Sequence, residues 1–280
     1  MSAAAPGELV TLVVMAWNQE TMLREVIECA FAQTYQPLEI LLSDDASPDG
    51  SFGLMQDMAA RYHGPHRVRL NRNAANLGLI GHVNRVFELA EGALLVYNAG
   101  DDLSEPIRVQ RLYAAFQQGR PALVHSNVTD IDLDGMVLPK QRDRDRHDQL
   151  AAKSLEDVAL TKNNCIGASC AWRTDMYQTF GPITESDVFE DRVIYFRARL
   201  LGDVGYVNER LLRYRRGLGL SFDRGEGEAM TRRNFQIDIA TFRQRLKDCR
   251  LFAPEKRDVI AALERKIRKR ERQLAEVIEA

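Results

Sequence analysis

Three short apolar runs, each ending in polar residues, constrain this chain more than any other feature: LVTLVVM at 9–15, LEILL at 38–42 and ALLVYNA at 93–99. Unbroken apolarity over so few residues, with many branched side chains, marks a strand buried on both faces, the condition of a parallel sheet covered by helices. Helical patterns fall between the runs. Leu23, Val26, Ile27 and Ala30 recur at helical spacing after the start residues Asn18 and Thr21. Ser47 and Pro48 read as the N-cap and first turn of a second helix carrying Leu54, Met55 and Met58, followed by a short strand at Val68 to Leu70. Leu79 to Ala90 predicts a third helix, stopped by Gly92. The alternation predicts an α/β fold: a doubly wound, mostly parallel sheet flanked by helices.

Open parallel sheets bind ligands beyond the carboxyl ends of their strands. That rule gathers Trp17, Asn18, Asp44, Asp45, Asp101 and Asp102 at one crevice, although they are far apart in sequence. Adjacent carboxylates at a strand end either hold a divalent cation through oxygen ligands or are capped by turn amides. Two such pairs, Asp44-Asp45 and Asp101-Asp102, each follow a predicted strand of the same sheet. A nucleotide sugar requires recognition of base and ribose, a cation for the departing diphosphate and a base for the acceptor hydroxyl. Asp45 suits the first task as an acceptor, and the Trp17 ring either stacks on a nucleobase or packs in the core.

Bulk properties exclude other classes. With 280 residues, one large domain and a smaller appendage are expected. The net charge of −2 gives no global footprint for nucleic acid, so no nucleic-acid partner is expected. Cys29, Cys165, Cys170 and Cys249 form no CxxC pair and read as free thiols of a reducing compartment. The start MSAAAPGELV lacks a signal-peptide pattern, and no apolar run approaches the ~18 residues of a membrane span. The expected location is the cytoplasm, at most peripheral to the inner face of the cell membrane.

Beyond Ser104 the pattern changes to a helix reaching Gln118, a strand at ALVHS and a hairpin around Asp134-Gly135. QRDRDRHDQ at 141–149 reads as a polar loop and a candidate lid. After Gly227 two helices are expected, one with Phe235, Ile239, Phe242, Leu246 and Cys249 on a face, the other with Ile260, Leu263, Ile267, Leu274 and Val277. The heptad-like stripe suits packing within the chain or a homo-oligomer. The basic run RKIRKRER leaves open a peripheral membrane contact.

Several stretches together resemble the family-2 glycosyltransferases of GT-A fold: VVMAWNQETMLREVIECAFAQTYQPLEILLSDDASPDGS, NLGLIGHVNRVFELAEGALLVYNAGDD, NCIGASCAWR, FGPI and VFEDRVIYFRARLLG. The likeness runs from about Leu9 to Ser221. It implies a catalytic domain over 1–222, with a nucleotide-binding half to about 103 and an acceptor half from 104, and a helical extension over 223–280. It further implies a donor site of Ala16, Trp17, Asn18, Glu20, Asp45, Asn76, Gly100 and Asp101. Asp102 would be the main ligand of Mn2+ or Mg2+, with Asp101 near the ribose or sharing the metal. Glu190 and Asp191 match the acidic pair that supplies the catalytic base, Asp191 being the choice, and Cys165, Gly167 and Ala168 fall on the acceptor side. The implied activity is transfer of a single sugar, with inversion, from a nucleotide-sugar donor to a glycan or lipid-linked acceptor in surface polysaccharide or glycolipid assembly.

Two departures matter. Ala99 stands where the family often has the first Asp of its acidic motif, and no histidine follows the base, since all five (His63, His66, His82, His125 and His147) lie upstream. Arg215, Arg216 or the region of Ser221 is then expected to meet the diphosphate, unless these arginines serve the chain's own carboxylates. The Gln-x-x-Arg-Trp signature of processive synthases is absent, the tryptophans being Trp17 and Trp172. The alternatives are a non-catalytic nucleotide-binding or scaffold relative and, last, a phosphorelay receiver domain, which would need far less chain and a suitably placed lysine.

Overall fold

The computed structural model describes residues 7–141, 151–162, 165–217 and 227–279. The three apolar runs become β1 (Val10–Ala16), β2 (Leu38–Asp44) and β4 (Leu94–Ala99), joined at the edge by β3 (Arg67–Arg72). All four are parallel, in the order β3-β2-β1-β4. Four strands extend the sheet: β5 (Leu103–Ser104), β6 (Leu123–Ile131), β7 (Cys170–Arg173) and β8 (Gly205–Arg215). The full order is β3-β2-β1-β4-β7-β6-β8-β5, and β7 runs antiparallel to both neighbours. The fold class expected from the sequence is therefore the one observed.

Alternate residues of the strands feed two cores. Leu12, Val14 and Val96 face α1 (Glu20–Phe31), α2 (Ser51–Ala60) and α4 (Arg108–Gln117). Val13, Leu95 and Trp172 face the opposite layer. That layer holds α3 (Gly78–Leu89), α5 (Leu155–Leu160), α6 (Asp175–Phe180), α7 (Glu190–Leu201), α8 (Gly227–Phe252) and α9 (Arg257–Glu279). Side chains of period two on buried strands thus bring helices onto both faces.

Two helix starts differ from expectation. The second helix begins at Ser51, not at Ser47-Pro48, because Asp44 accepts the Ser47 amide (3.0 Å) and Asp49 accepts those of Ser51 (3.0 Å) and Glu20 (3.0 Å), shaping 44–51 into a turn. Asn18 takes a left-handed φ of 56° and leaves Gln19 as the N-cap of α1. The hairpin at Asp134-Gly135 is present, with Gly135 at φ 82° and the Asp132 amide bonded to the Met136 carbonyl (2.9 Å).

The last two helices lie antiparallel, stapled by Arg250-Glu264 and Arg243-Glu271, both at 2.6 Å. Leu263 and Ile267 are buried against the chain itself, and Arg270, which interrupts the stripe, reaches Asp238 (3.1 Å) across the Phe235 ring. Among the described residues no helix is long and apolar enough to cross a membrane. Most of the polar loop 141–149, and Ser221, lie outside the described residues.

Candidate active site

Register assembles the donor side. Ala16 is level with Asp44, and Met15 with Ala99, so three strand ends open onto one edge. The Asp45 amide closes on the Ala16 carbonyl (3.0 Å). The left-handed turn at Asn18, whose amide donates to Ser47 Oγ (2.9 Å), leaves Trp17 50% exposed, so its ring is not part of the core. Glu20 braces this turn by accepting the Gly50 amide (2.9 Å), and a Cβ at residue 50 would overlap that carboxylate.

The first acidic pair divides its labour. Asp44 is buried and serves structure, accepting from Ser47 and lying 3.5 Å from Arg72 Nε. Asp45 Oδ1 accepts from the Asn73 amide group (2.7 Å) and the Leu77 backbone (2.9 Å). Asn73 is held by Asn71 (3.0 Å), which also reaches Ser43 Oγ (3.0 Å), 2.6 Å from His82 Nε2. Burial lowers the His82 pKa to about 4, so this network contains a neutral imidazole at neutral pH. Asn76 is exposed and accepts the Gly78 amide (2.7 Å) at the start of α3.

The second pair follows a glycine packed tightly against the end of β1. A Cβ at Gly100 would lie 3.0 Å from both Ala16 Cβ and the Met15 carbonyl and would strike Gln19 Oε1. Asp101 bonds the Gln19 side chain, and burial raises its pKa. Asp102 Oδ1 accepts the Arg215 backbone amide (2.8 Å), while its Oδ2 is buried with no hydrogen-bond partner. Burial, then the neighbouring Asp101, pushes the Asp102 pKa well up. An orphaned carboxylate oxygen is costly to bury, and a divalent cation would satisfy it. Asp102, with Asp101 beside it, therefore fits Mn2+ or Mg2+. Among the described residues no group of three His, Cys, Asp or Glu side chains gathers for a metal, so the remaining ligands would be donor phosphate oxygens and water.

Arg215 does not fit a role at the diphosphate. It is 3% exposed, and its guanidinium donates to the carbonyls of Asp101 (3.0 Å), Asp132 (3.2 Å) and Leu133 (2.5 Å) and to Glu25. Arg216 lies 3.8 Å from Asp130, one of the chain's own carboxylates.

Where the sequence leads one to expect the acceptor side, Glu190 opens α7 against the 3-10 turn Gly167–Ser169, and a Cβ at Gly167 would overlap the Glu190 carboxylate and approach Asp191 Cβ (3.3 Å). Cys165 and Ala168 are buried beside it, and Cys165 Sγ lies 3.3 Å from Cys170 Sγ, both free thiols. Burial, then Asp191, raises the Glu190 pKa to about 8. At neutral pH Glu190 therefore keeps its proton.

Two residues that sequence reasoning passed over join these halves. Tyr97, stacked on Trp172 at 5.1 Å, is buried within the fields of Glu190, Asp101 and Asp102, which with desolvation raise its pKa well above 10. Arg108 is fully buried and donates to Asn98 Oδ1 (2.9 Å), Ser104 Oγ (2.8 Å) and the carbonyls of Tyr97 (2.7 Å) and Ala168 (2.5 Å). Nothing in the sequence separates either from ordinary core or surface residues.

A half-parallel sheet with acidic residues at its strand ends agrees with the GT-A fold expected from the sequence. The chain belongs to glycosyl transferase family 2, whose pattern matches residues 11–178. EpsE of Bacillus subtilis, named only provisionally as a glycosyltransferase, is 33% identical over 114 residues, 41% of this chain and 40% of that one. An uncharacterized glycosyltransferase of Nostoc is 24% identical over 215 residues, 74% of this chain and 64% of that one. The aligned parts thus fall short of two thirds of either relative. In fold, the chain is similar to Staphylococcus aureus TarS 1–349 in complex with UDP-GlcNAc (TM-score 0.64, 13% identity, 92% of this chain and 72% of that one). It is also similar to the mannosyltransferase PcManGT of Pyrobaculum calidifontis in complex with GDP-Man and Mn2+ (TM-score 0.62, 20% identity, 99% and 78%).

Proposed function

We propose that this protein transfers a single sugar, with inversion, from a nucleotide diphosphate donor to a hydroxyl of a glycan or lipid-linked acceptor in surface polysaccharide assembly. One observation carries the reading. Asp101, Asp102 and Glu190, remote in sequence, all act on one buried phenol, Tyr97, and the Arg108 guanidinium binds the carbonyls of both Tyr97 (2.7 Å) and Ala168 (2.5 Å), which brings the two acidic sites together. Trp17 stacks on the nucleobase, and Asp45 accepts a hydrogen bond from it, the Asp45 carboxylate being held by Asn73. Ala16, Asn18, Glu20, Asn76 and Gly100 shape the wall around the donor. Asp102, with Asp101, holds Mn2+ or Mg2+, which would supply positive charge for the departing diphosphate. Asp191 takes the proton of the acceptor hydroxyl as its oxygen bonds the anomeric carbon and the nucleoside diphosphate leaves from the opposite face. Protonated Glu190 holds the wall formed by Cys165, Gly167 and Ala168.

The division into a catalytic domain over 1–222 and a helical extension over 223–280 belongs to the same proposal. So do a cytoplasmic site of action, peripheral membrane contact through the basic residues of α9, and pairing of copies through the C-terminal helices. The test is a thermal-shift panel of UDP, GDP, CDP and dTDP and their sugars, with and without Mn2+. One nucleotide should stabilise the protein, and Mn2+ should enlarge the shift. A flat panel refutes the donor site, and binding without turnover favours the non-catalytic scaffold reading.

A further inference from the structure

Helix α8 lies wholly outside the matched span 11–178 and carries a polar face that is buried: Asp238, Gln244, Arg245 and Asp248 are each at most 2% exposed. Buried polar groups on a helix are retained only where partners satisfy them. Here Asp238 is met by Lys162 (2.6 Å) and Arg270 (3.1 Å), and the other partners lie on α7, the chain that leads into it and α5. Asp248 takes Arg197 in a two-pronged pair (2.9 and 3.0 Å), and Gln244 Oε1 accepts the backbone amides of Thr184 (2.8 Å) and Glu185 (3.1 Å). Arg245 is placed closest to the chemistry. Its Nε and Nη2 both donate to the Arg192 carbonyl (3.0 and 2.6 Å), in the first turn of α7, one residue past Asp191. Its Nη1 donates to the carbonyls of Val158 (3.1 Å), Ala159 (2.7 Å) and Thr161 (2.8 Å), which end α5.

The fork suits this task as no other side chain does. The orphan carbonyls at the C-terminal end of α5 want donors and positive charge, and a guanidinium offers five N–H groups in a fixed plane, enough to reach the Arg192 carbonyl as well. All its hydrogen-bond partners given above are main-chain carbonyls, so the link depends on Arg245 and not on the side chains it reaches. The chain from α5 continues to Cys165 and Gly167, and Gly167 is the residue against which the Glu190 carboxylate rests. Arg245 therefore ties together the two segments whose separation sets the mouth between the base and the acceptor wall.

We propose that Arg245 is a positioning residue for the catalytic carboxylates, fixing Asp191 and Glu190 relative to Gly167 from a helix beyond the matched span. The inference rests on the reading of Asp191 as the base. Burial and Arg192 lower the Arg245 pKa to about 9 against the opposing pull of Asp191, Asp238 and Asp248, so the group is charged at neutral pH.

The experiment measures release of nucleoside diphosphate from UDP-GlcNAc or GDP-mannose, whichever the wild type turns over, with Mn2+ and with water as acceptor. Arg245→Lys, Arg245→Met, Asp191→Asn and the two double variants are compared, each also by thermal shift with the nucleotide alone. A misplacement of about 1 Å at a catalytic group costs about 100-fold. Arg245→Met is expected to lose about that factor in kcat, and Arg245→Lys less, with the donor KM and the nucleotide-induced shift unchanged. In the Asp191→Asn background the further loss should be under about twofold, because groups acting as a unit are not additive. Unchanged kcat in both single variants, or an equal loss with and without Asp191, overturns the proposal. Variants that no longer melt cooperatively or bind nucleotide show a role in folding alone and also overturn it. A wild type that turns over neither donor overturns the reading of the base and this inference with it, an outcome distinct from the others.

Discussion

Replacing Glu190 by glutamine separates the two carboxylates of the proposed base pair. Glu190 is buried, and its pKa rises from 4.5 to about 8. In the unfolded chain the group ionises near 4.5, so between pH 4.5 and about 8 the folded state holds a proton that the unfolded state has released. Stability must then fall as pH rises through that window, being full below 4.5 and lost above 8. The difference of 3.5 units, at about 1.36 kcal/mol each, corresponds to about 5 kcal/mol. Folded domains have about 5–15 kcal/mol in total, so the effect is visible in urea titrations at pH 5, 7 and 9. Glutamine imitates the neutral acid and cannot ionise. Glu190→Gln should therefore match the wild type near pH 5 and exceed it near pH 9, with sugar transfer at pH 7 retained. Asp191→Asn should bind donor and keep only a small residual rate of transfer. Parallel stability curves for wild type and Glu190→Gln would refute the buried proton. An inactive Glu190→Gln beside an active Asp191→Asn would reverse the roles.

Trp17→Ala should weaken nucleotide binding by about 1–3 kcal/mol, the range of a base stacked on an aromatic ring, with an unchanged melting temperature, as befits a half-exposed side chain; equal affinity, measured by calorimetry, would remove Trp17 from the site. Asp102→Ala should abolish the Mn2+-dependent part of the nucleotide shift, read by the same thermal panel, and an unaltered Mn2+ response would move the metal elsewhere. Gly167→Ala places a methyl group on the Glu190 carboxylate, so turnover should drop by at least about tenfold with nucleotide binding intact; full turnover would show that the acceptor wall yields freely.

The parallel strands were legible because burial on both faces writes itself into consecutive residues such as LVTLVVM and LEILL. The acidic turns were legible for the same reason, since they follow those strands. The antiparallel β7 was not, because CAWR is short and its placement between β4 and β6 depends on partners far along the chain. Charged residues misled most. Arg215 reads as a phosphate contact but is occupied by carbonyls of residues 101, 132 and 133. The apolar side of α8 was evident in Ile239 and Phe242, whereas its polar side gave no sign of burial, since the groups that satisfy it come from residues 158–197. Ser47-Pro48 has the local chemistry of a helix start, but Asp44 and Asp49 draw those amides into a turn first.

Arg108 has a consequence for how members of such a family can diversify. Its one long-range bond among these goes to a main-chain carbonyl, at Ala168, while Tyr97, Asn98 and Ser104 lie within 11 residues of it. A carbonyl is present whatever residue occupies the position. The segment from 97 to 108 is thus a cassette that can grip the turn at Ala168 whatever its sequence, provided the backbone path is kept. Exchange of the chain beyond Arg108 between relatives, by recombination or by design, can leave this joint whole, so the 167–169 turn can vary without rebuilding the stretch from 97 to 108.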